Sequence, residues 1–208
     1  VTQGYAIAAY EVNKRASLGL RYDFEYAWVN TKAECVGDLC QTASGYSDFR
    51  LSNSVTPSIR FIPYKGFVTN VYYQYQNRKY YLPLPTFLSE LDRTGNLQRA
   101  GIDQVWYTPN WTGFGKNFVV VGFAYRREKA KGYEYDSNGY SPAIKIGVSL
   151  PWEAFFTSSF SYEWRNFDNV SCFQGYSSPL PPGFTVCGVP PSGKPKREDR
   201  TIQVQARL

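Results

Sequence analysis

Two acidic residues, Asp23 and Glu25, stand two positions apart in the segment SLGLRYDFEYAWVN, residues 17–30. Two carboxyl groups on one face of a strand could serve as a general acid and a general base. Arg21 precedes them on the same face, and a guanidinium beside carboxylates forms charge-assisted hydrogen bonds. The sequence therefore predicts salt bridges at this place in preference to acid–base chemistry.

The chain contains no histidine among its 208 residues. This excludes catalytic arrangements that pair serine or cysteine with histidine, and it removes the commonest metal ligand. No glycine-rich phosphate-binding loop and no nucleic-acid-binding motif occurs. We therefore expect no enzymatic activity, no cofactor, no metal and no nucleic-acid partner.

Four cysteines form two close pairs in turn-rich segments. Cys35 and Cys40 lie in AECVGDLCQT, and Cys172 and Cys187 bracket FQGYSSPLPPGFTV. Zinc sites usually have closer pairs, such as C-x2-C, together with histidine. The spacing favours two local disulfides, Cys35–Cys40 and Cys172–Cys187, formed in an oxidising compartment.

The net charge of +6 is spread along the chain, which favours solvated or paired charges over an acidic partner. The basic stretch GKPKREDR, residues 193–200, is most simply a solvated loop. The alternative is a contact with phosphate groups, which lysine and arginine bind well.

These residues must be positioned by strands, because nearly every long segment alternates between apolar and polar residues with a period of two. Two segments, residues 1–13 and 98–111, alternate weakly, and either of their faces could be the apolar one. About nine strands are predicted. Two are these weakly alternating segments, and the other seven lie in residues 17–30, 48–63, 67–82, 117–128, 141–152, 154–165 and 201–208.

The connections between these strands alternate strictly between short and long, so all the short turns should lie at one end of an up-and-down meander. Short turns are expected at residues 13–16, 63–66, 110–116 and 151–153, and long loops at 31–45, 83–97, 129–140 and 168–196.

Strand length and aromatic placement indicate which face meets water. The strands exceed the roughly 5–6 residues usual in globular proteins and reach the roughly 9–11 that cross a membrane. A soluble barrel would crowd the many Trp and Tyr side chains into one core. Aromatic residues instead mark the ends of the apolar faces, as in the girdles of membrane barrels. The predicted girdle includes Trp28, Tyr75, Trp111, Trp152 and Trp164.

No run of about 18 apolar residues exists, so a membrane-spanning helix is not predicted, and a closed barrel is the remaining way to cross hydrocarbon. The charged faces of the strands would then line its interior. That predicted set comprises Arg21, Asp23, Glu25, Asp48, Arg50, Arg60, Arg78, Arg126, Glu128, Lys145, Glu163, Arg165 and Arg207.

The alternating segments, the tight turns PYKG and PWE and the cysteine pairs in the loops together resemble a Gram-negative outer-membrane β-barrel protein. The resemblance is architectural and covers almost the whole chain, residues 1–208, as one domain. It implies an all-β, antiparallel up-and-down transmembrane barrel with about 9–10 visible strands, short periplasmic turns and long extracellular loops. It also implies an outer-membrane location and contact with membrane lipids, lipopolysaccharide and other outer-membrane or surface proteins.

Two roles fit such a barrel. The first, which we prefer because it is commoner, is a passive, porin-like pore for small hydrophilic solutes, with arginines of the interior setting its selectivity. The second is a non-conducting structural or assembly barrel that anchors extracellular or periplasmic partners through its loops. Mixed interior charges favour closure, whereas the small residues Gly147, Ser149, Ser159 and Ser161 favour an open space.

The predicted strand count is odd, whereas single-chain bacterial barrels have an even number of strands. We therefore expect either a further strand, in residues 83–97 or 174–191, or a natural protein that continues beyond Leu208.

Overall fold

The computed structural model describes residues 2–30, 47–80, 93–108, 113, 115, 117–132, 135–152, 154–169 and 197–208, excluding the side chains of 28–30 and 47–49. These residues form nine strands rich in β-branched and aromatic side chains, which suit a pleated surface. The strands are β1 (Thr2–Asn13), β2 (Ala16–Asn30), β3 (Ser47–Phe61), β4 (Phe67–Tyr80), β5 (Gly95–Thr108), β6 (Asn117–Ala130), β7 (Ser137–Ser149), β8 (Phe155–Phe167) and β9 (Glu198–Arg207).

The strands form one sheet in chain order, and each pairs antiparallel with the next. This confirms the predicted all-β, up-and-down arrangement, including the two weakly alternating segments, which are β1 and β5. No helix in the described part of the chain is long and apolar enough to cross a membrane.

One predicted loop is wrong. The segment 129–140 was expected to be a long connection, but β6 and β7 are joined by residues 131–136 alone. The backbone N–H of Ala130 donates to Asp136 Oδ1 at 2.8 Å, and Lys129 Nζ lies 2.7 Å from Asp136 Oδ2. These contacts hold Asp136 against the end of β6. The neighbouring strand ends carry polar residues on both faces, so no apolar alternation marked them in the sequence.

The two outer strands of the sheet, β1 and β9, each pair with one neighbour within the described residues, so the sheet is not closed there. Because consecutive strands are antiparallel, an odd number of strands makes β1 and β9 run in the same direction. Antiparallel closure therefore requires an odd number of additional strands between them.

In the middle strands the polar face of the sheet is less exposed than the apolar face, whereas β1 and nearly all of β9 are exposed on both faces. Ser52 and Ser54 are only 2% and 3% exposed, whereas Val55 and Ile59, which point the other way from β3, are 41% and 53% exposed. Large apolar residues are similarly exposed on the same face from β2 to β9. This is the reverse of the distribution in soluble proteins, where large aliphatic residues are the ones most often buried.

Candidate functional site

The polar face of the sheet gathers the charged residues that the sequence assigned to a barrel interior. The register places on this face Arg21, Asp23, Glu25, Arg50, Arg60, Arg78, Arg126, Glu128, Lys145, Glu163, Arg165 and Arg207. Asp48 occupies a backbone position of the same parity, opposite Val29, but its side chain is outside the described structure.

The carboxylates of β2 form the salt bridges predicted for them. Arg21 Nη2 lies 2.6 Å from Asp23 Oδ1 on the same strand, and Arg50 of β3 pairs with Glu25. Both carboxylates therefore have cationic partners, so neither stands as an unpaired acid or base. This part of the face is electrostatically paired.

Five further charges form a continuous network across β4, β6 and β8. Arg78 Nη1 lies 3.1 Å from Glu128 Oε1, and Arg126 Nη2 lies 2.7 Å from Glu128 Oε2. Arg126 Nη1 and Arg165 Nη2 lie 2.8 Å and 2.9 Å from the same oxygen of Glu163. The Glu128 side chain is only 8% exposed, so the two guanidinium groups, and little water, surround its carboxylate.

A glycine in β7 makes room for this network. In the ladder, Gly139 lies between Arg126 of β6 and Arg165 of β8. A Cβ at this position would be 3.5 Å from Arg126 Cγ and 2.6 Å from the backbone oxygen of Trp164. Because residue 139 lacks a side chain, Arg126 can extend across β7 and reach Glu163 on the far strand.

Two charged residues of this face, Arg99 and Asp103 of β5, were missed by the sequence reasoning. In the ladder Arg99 lies opposite Gln74 of β4, and Asp103 lies opposite Asn70. β5 has polar residues on both faces, so its own alternation did not reveal their orientation. Only the pairing with β4 shows which face these residues share, because it places Asp103 opposite Asn70 of the polar face.

The cavities on the polar face include two that lie among its charged side chains. One of about 530 Å³ is bordered by strands β4 to β9 and lined by Arg99, Arg126, Lys145 and Glu163, among others. A second, of about 480 Å³, lies on the β1–β4 side. The charged side chains of this face therefore leave water-sized space between them.

An aromatic cluster lies on the polar face near the short-turn end. The Phe118 ring centroid is 6.5 Å from that of Tyr107 and 5.9 Å from that of Phe155. A Cβ on Gly147 would clash with the Phe118 ring, so this ring fills the space beside the glycine. Gly147 therefore does not provide the open space predicted for it.

The basic residues at the short-turn end differ from those of the network. Arg60, Lys145 and Arg207 have no carboxylate partner within the described residues, whereas Lys145 Nζ lies 5.9 Å from the centroid of the Phe118 ring. At the opposite end, Lys129 pairs with both Asp136 and Asp168.

The described part of the basic stretch is internally paired. Arg197 Nη2 lies 2.6 Å from Asp199 Oδ2, and Arg200 Nη2 lies 2.9 Å from Glu198 Oε1. Such pairs fit the simple interpretation of a solvated surface better than a phosphate contact. Residues 193–196 are outside the described structure.

The predicted aromatic girdle is partly described. Tyr75 and Trp164 are exposed on the apolar face towards the long-connection end, and Trp152 lies in the turn between β7 and β8, 95% exposed. Trp111 and the side chain of Trp28 lie outside the described residues.

The cysteines of both predicted disulfides, Cys35–Cys40 and Cys172–Cys187, fall outside the described residues, so these disulfides stay predictions.

The described residues contain no group of three or more acidic, cysteine or histidine side chains that could hold a metal ion. The chain matches no protein-family model, no curated protein and no solved structure.

Proposed function

We propose that this chain is an integral β-barrel protein of a Gram-negative outer membrane, in contact with lipids and lipopolysaccharide, and that it forms a passive pore for small hydrophilic solutes. The observation that carries the proposal is the inverted sheet, with exposed large apolar side chains on one face and buried serines and the buried Glu128 on the other. Apolar surface that extends over most strands needs an apolar partner, and a lipid bilayer supplies one to every strand of a barrel.

Polar residues on the apolar face support a hydrocarbon environment, because several of them are paired with one another across neighbouring strands. A polar group without a partner is costly in lipid. The pairs are Tyr22 with Asn53 at 2.7 Å, Thr69 with Gln104 at 2.7 Å and Asn77 with Asn96 at 2.8 Å.

The proposal requires a closed barrel, since unpaired backbone groups at a sheet edge cost several kcal/mol each in hydrocarbon. β1 and β9 run in the same direction, so we propose that at least one further antiparallel strand joins their free edges in the membrane. Paired edges would also remove the template that a free edge offers for aggregation.

The two cavities of the polar face favour a pore over a filled barrel. Of the small residues expected to leave space, Ser159 and Ser161 do line the larger cavity, together with Gln203 of β9. An aqueous path lined by hydroxyl, amide and charged groups suits hydrophilic solutes.

One observation favours the alternative, a non-conducting barrel that anchors extracellular or periplasmic partners through its loops. The network from Arg78 to Arg165 joins strands β4, β6 and β8 across the interior face and could obstruct a path. A barrel of about ten strands has little internal space to spare.

Purification followed by planar-bilayer recording tests both proposals. We expect extraction from washed membranes only with detergent, a β-type circular dichroism spectrum and a steady single-channel conductance. Folded protein that inserts but stays silent would favour the anchoring barrel. A monodisperse protein that is soluble without detergent would contradict both.

A further inference from the structure

The basic side chains of the polar face fall into two groups, and the difference suggests a binding site. Most of the arginines are neutralised by a carboxylate, whereas Lys145 of β7 and Arg207 of β9, like Arg60 and Arg99, have no ion pair within the described residues. The arginines with carboxylate partners are Arg21, Arg50, Arg78, Arg126 and Arg165.

The sheet register brings Lys145 and Arg207 close to each other. In one row Lys145 lies opposite Ser159, which lies opposite Gln205. In the next row towards the short turns, Thr157 lies opposite Arg207. These five residues, together with Ser158, line a cavity of about 150 Å³.

The residues that line this cavity are donors without a competing negative charge. Among the described lining residues none is acidic, and the five on the polar face offer an ammonium, a guanidinium, two hydroxyls and an amide. Arg207 can bind two oxygens of a carboxylate or phosphate at once, and Lys145 adds a compact charge. An anion would therefore meet several donors with little electrostatic opposition.

Lys145 is exposed and lies beside an aromatic ring. Its ammonium lies 5.9 Å from the centroid of the Phe118 ring, and that ring occupies the space beside Gly147. The attraction between a cation and the face of a ring is weak at an exposed site, and it favours this place for the ammonium.

We propose that Lys145, Arg207, Thr157, Ser159 and Gln205 form a subsite for the carboxylate or phosphate group of a small anionic solute. This rests on the proposed pore, whose selectivity the subsite would determine. The arginines of the ion-pair network then hold strands together, and anion preference comes from the unpaired cations near the short-turn end.

The test compares the wild-type protein with the double variant Lys145→Gln/Arg207→Gln in planar bilayers under a tenfold KCl gradient. We expect an anion-selective reversal potential in the wild type that moves towards zero in the variant. Added inorganic phosphate should reduce the wild-type current, and the phosphate concentration for half block should rise at least tenfold in the variant. The control Arg127→Gln removes a positive charge from the apolar face and should change neither value.

An unchanged phosphate block in the double variant would overturn the subsite while leaving the pore intact. If the folded protein does not conduct, the pore proposal fails, and isothermal titration of the detergent-solubilised protein with inorganic phosphate tests the subsite separately. Binding that the double variant loses would support the site, and absence of binding to the wild type would contradict it.

Discussion

The partners of individual charges decide what the polar face can do. Glu128 receives hydrogen bonds from Arg78 and Arg126, and Glu163 receives them from Arg126 and Arg165. A partly buried charge is tolerable when such partners replace its lost hydration. The network therefore links strands that are not adjacent in the sheet.

Replacement of Glu163 by Gln keeps the shape of the side chain and removes its charge. Arg126 and Arg165 would both lose the negatively charged oxygen that they contact together. We therefore expect Glu163→Gln to lower the free energy of unfolding by about 1–3 kcal/mol. Guanidinium unfolding in detergent micelles, followed by circular dichroism, measures the change.

The matched control is Glu198→Gln, which removes the carboxylate of the exposed pair with Arg200. Exposed pairs contribute little, so the unfolding midpoint of this variant should equal that of the wild type. Equal losses in both variants would show that the network has no special structural role.

At the scale of the strand, side-chain size determines how closely the polar faces of neighbouring strands can approach. Gly139 of β7 lies under the path that Arg126 takes to β8, and its missing Cβ keeps that path open. We expect Gly139→Ala to destabilise the protein by about 1–3 kcal/mol, because the added Cβ meets the Trp164 backbone oxygen, which cannot move without disturbing the ladder.

The control for this prediction is Gly4→Ala in β1, where the described structure leaves open space around the new Cβ. An alanine there should leave stability unchanged or raise it by up to about 1 kcal/mol, because glycine costs more conformational entropy on folding. Denaturant midpoints compare the two variants, and an equal effect at both positions would contradict the steric account.

The sequence predicted the faces of β2, β3 and β4 because their apolar and polar residues alternate with few exceptions. It did not predict the orientation of β1 or β5, where alternation is weak and only pairing with a neighbour decides the face. The short connection 131–136 was not predicted, because the strand ends beside it carry polar residues on both faces.

The candidate site was predicted in part. The residues of the ion pairs were assigned to one face, because strand periodicity fixes orientation. Which of these residues pair with each other was not predicted, since Arg126 and Glu163 meet across an intervening strand. The contact between the Phe118 ring and Lys145 could not be predicted either, because it depends on the register that brings Gly147 opposite Phe118.

At the scale of the whole molecule, the sheet has the inverse polarity of a soluble protein, and the membrane proposal depends on this. Strand β4 presents residues to both the apolar and the polar face within one short stretch. Val71, Tyr73 and Tyr75 are exposed on the apolar face, whereas Gln74 and Gln76 lie on the polar face and line the cavity on the β1–β4 side.

The most direct test of the central claim is a nitroxide scan of residues 71–76 of β4 in liposomes. Single cysteines are introduced after the four native cysteines have been replaced by serine. We expect accessibility to oxygen, which concentrates in lipid, to peak at positions 71, 73 and 75. Accessibility to a water-soluble nickel chelate should peak at positions 74 and 76. A nickel chelate that reaches Val71, Tyr73 and Tyr75 as readily as the alternate positions would contradict a lipid-facing apolar surface.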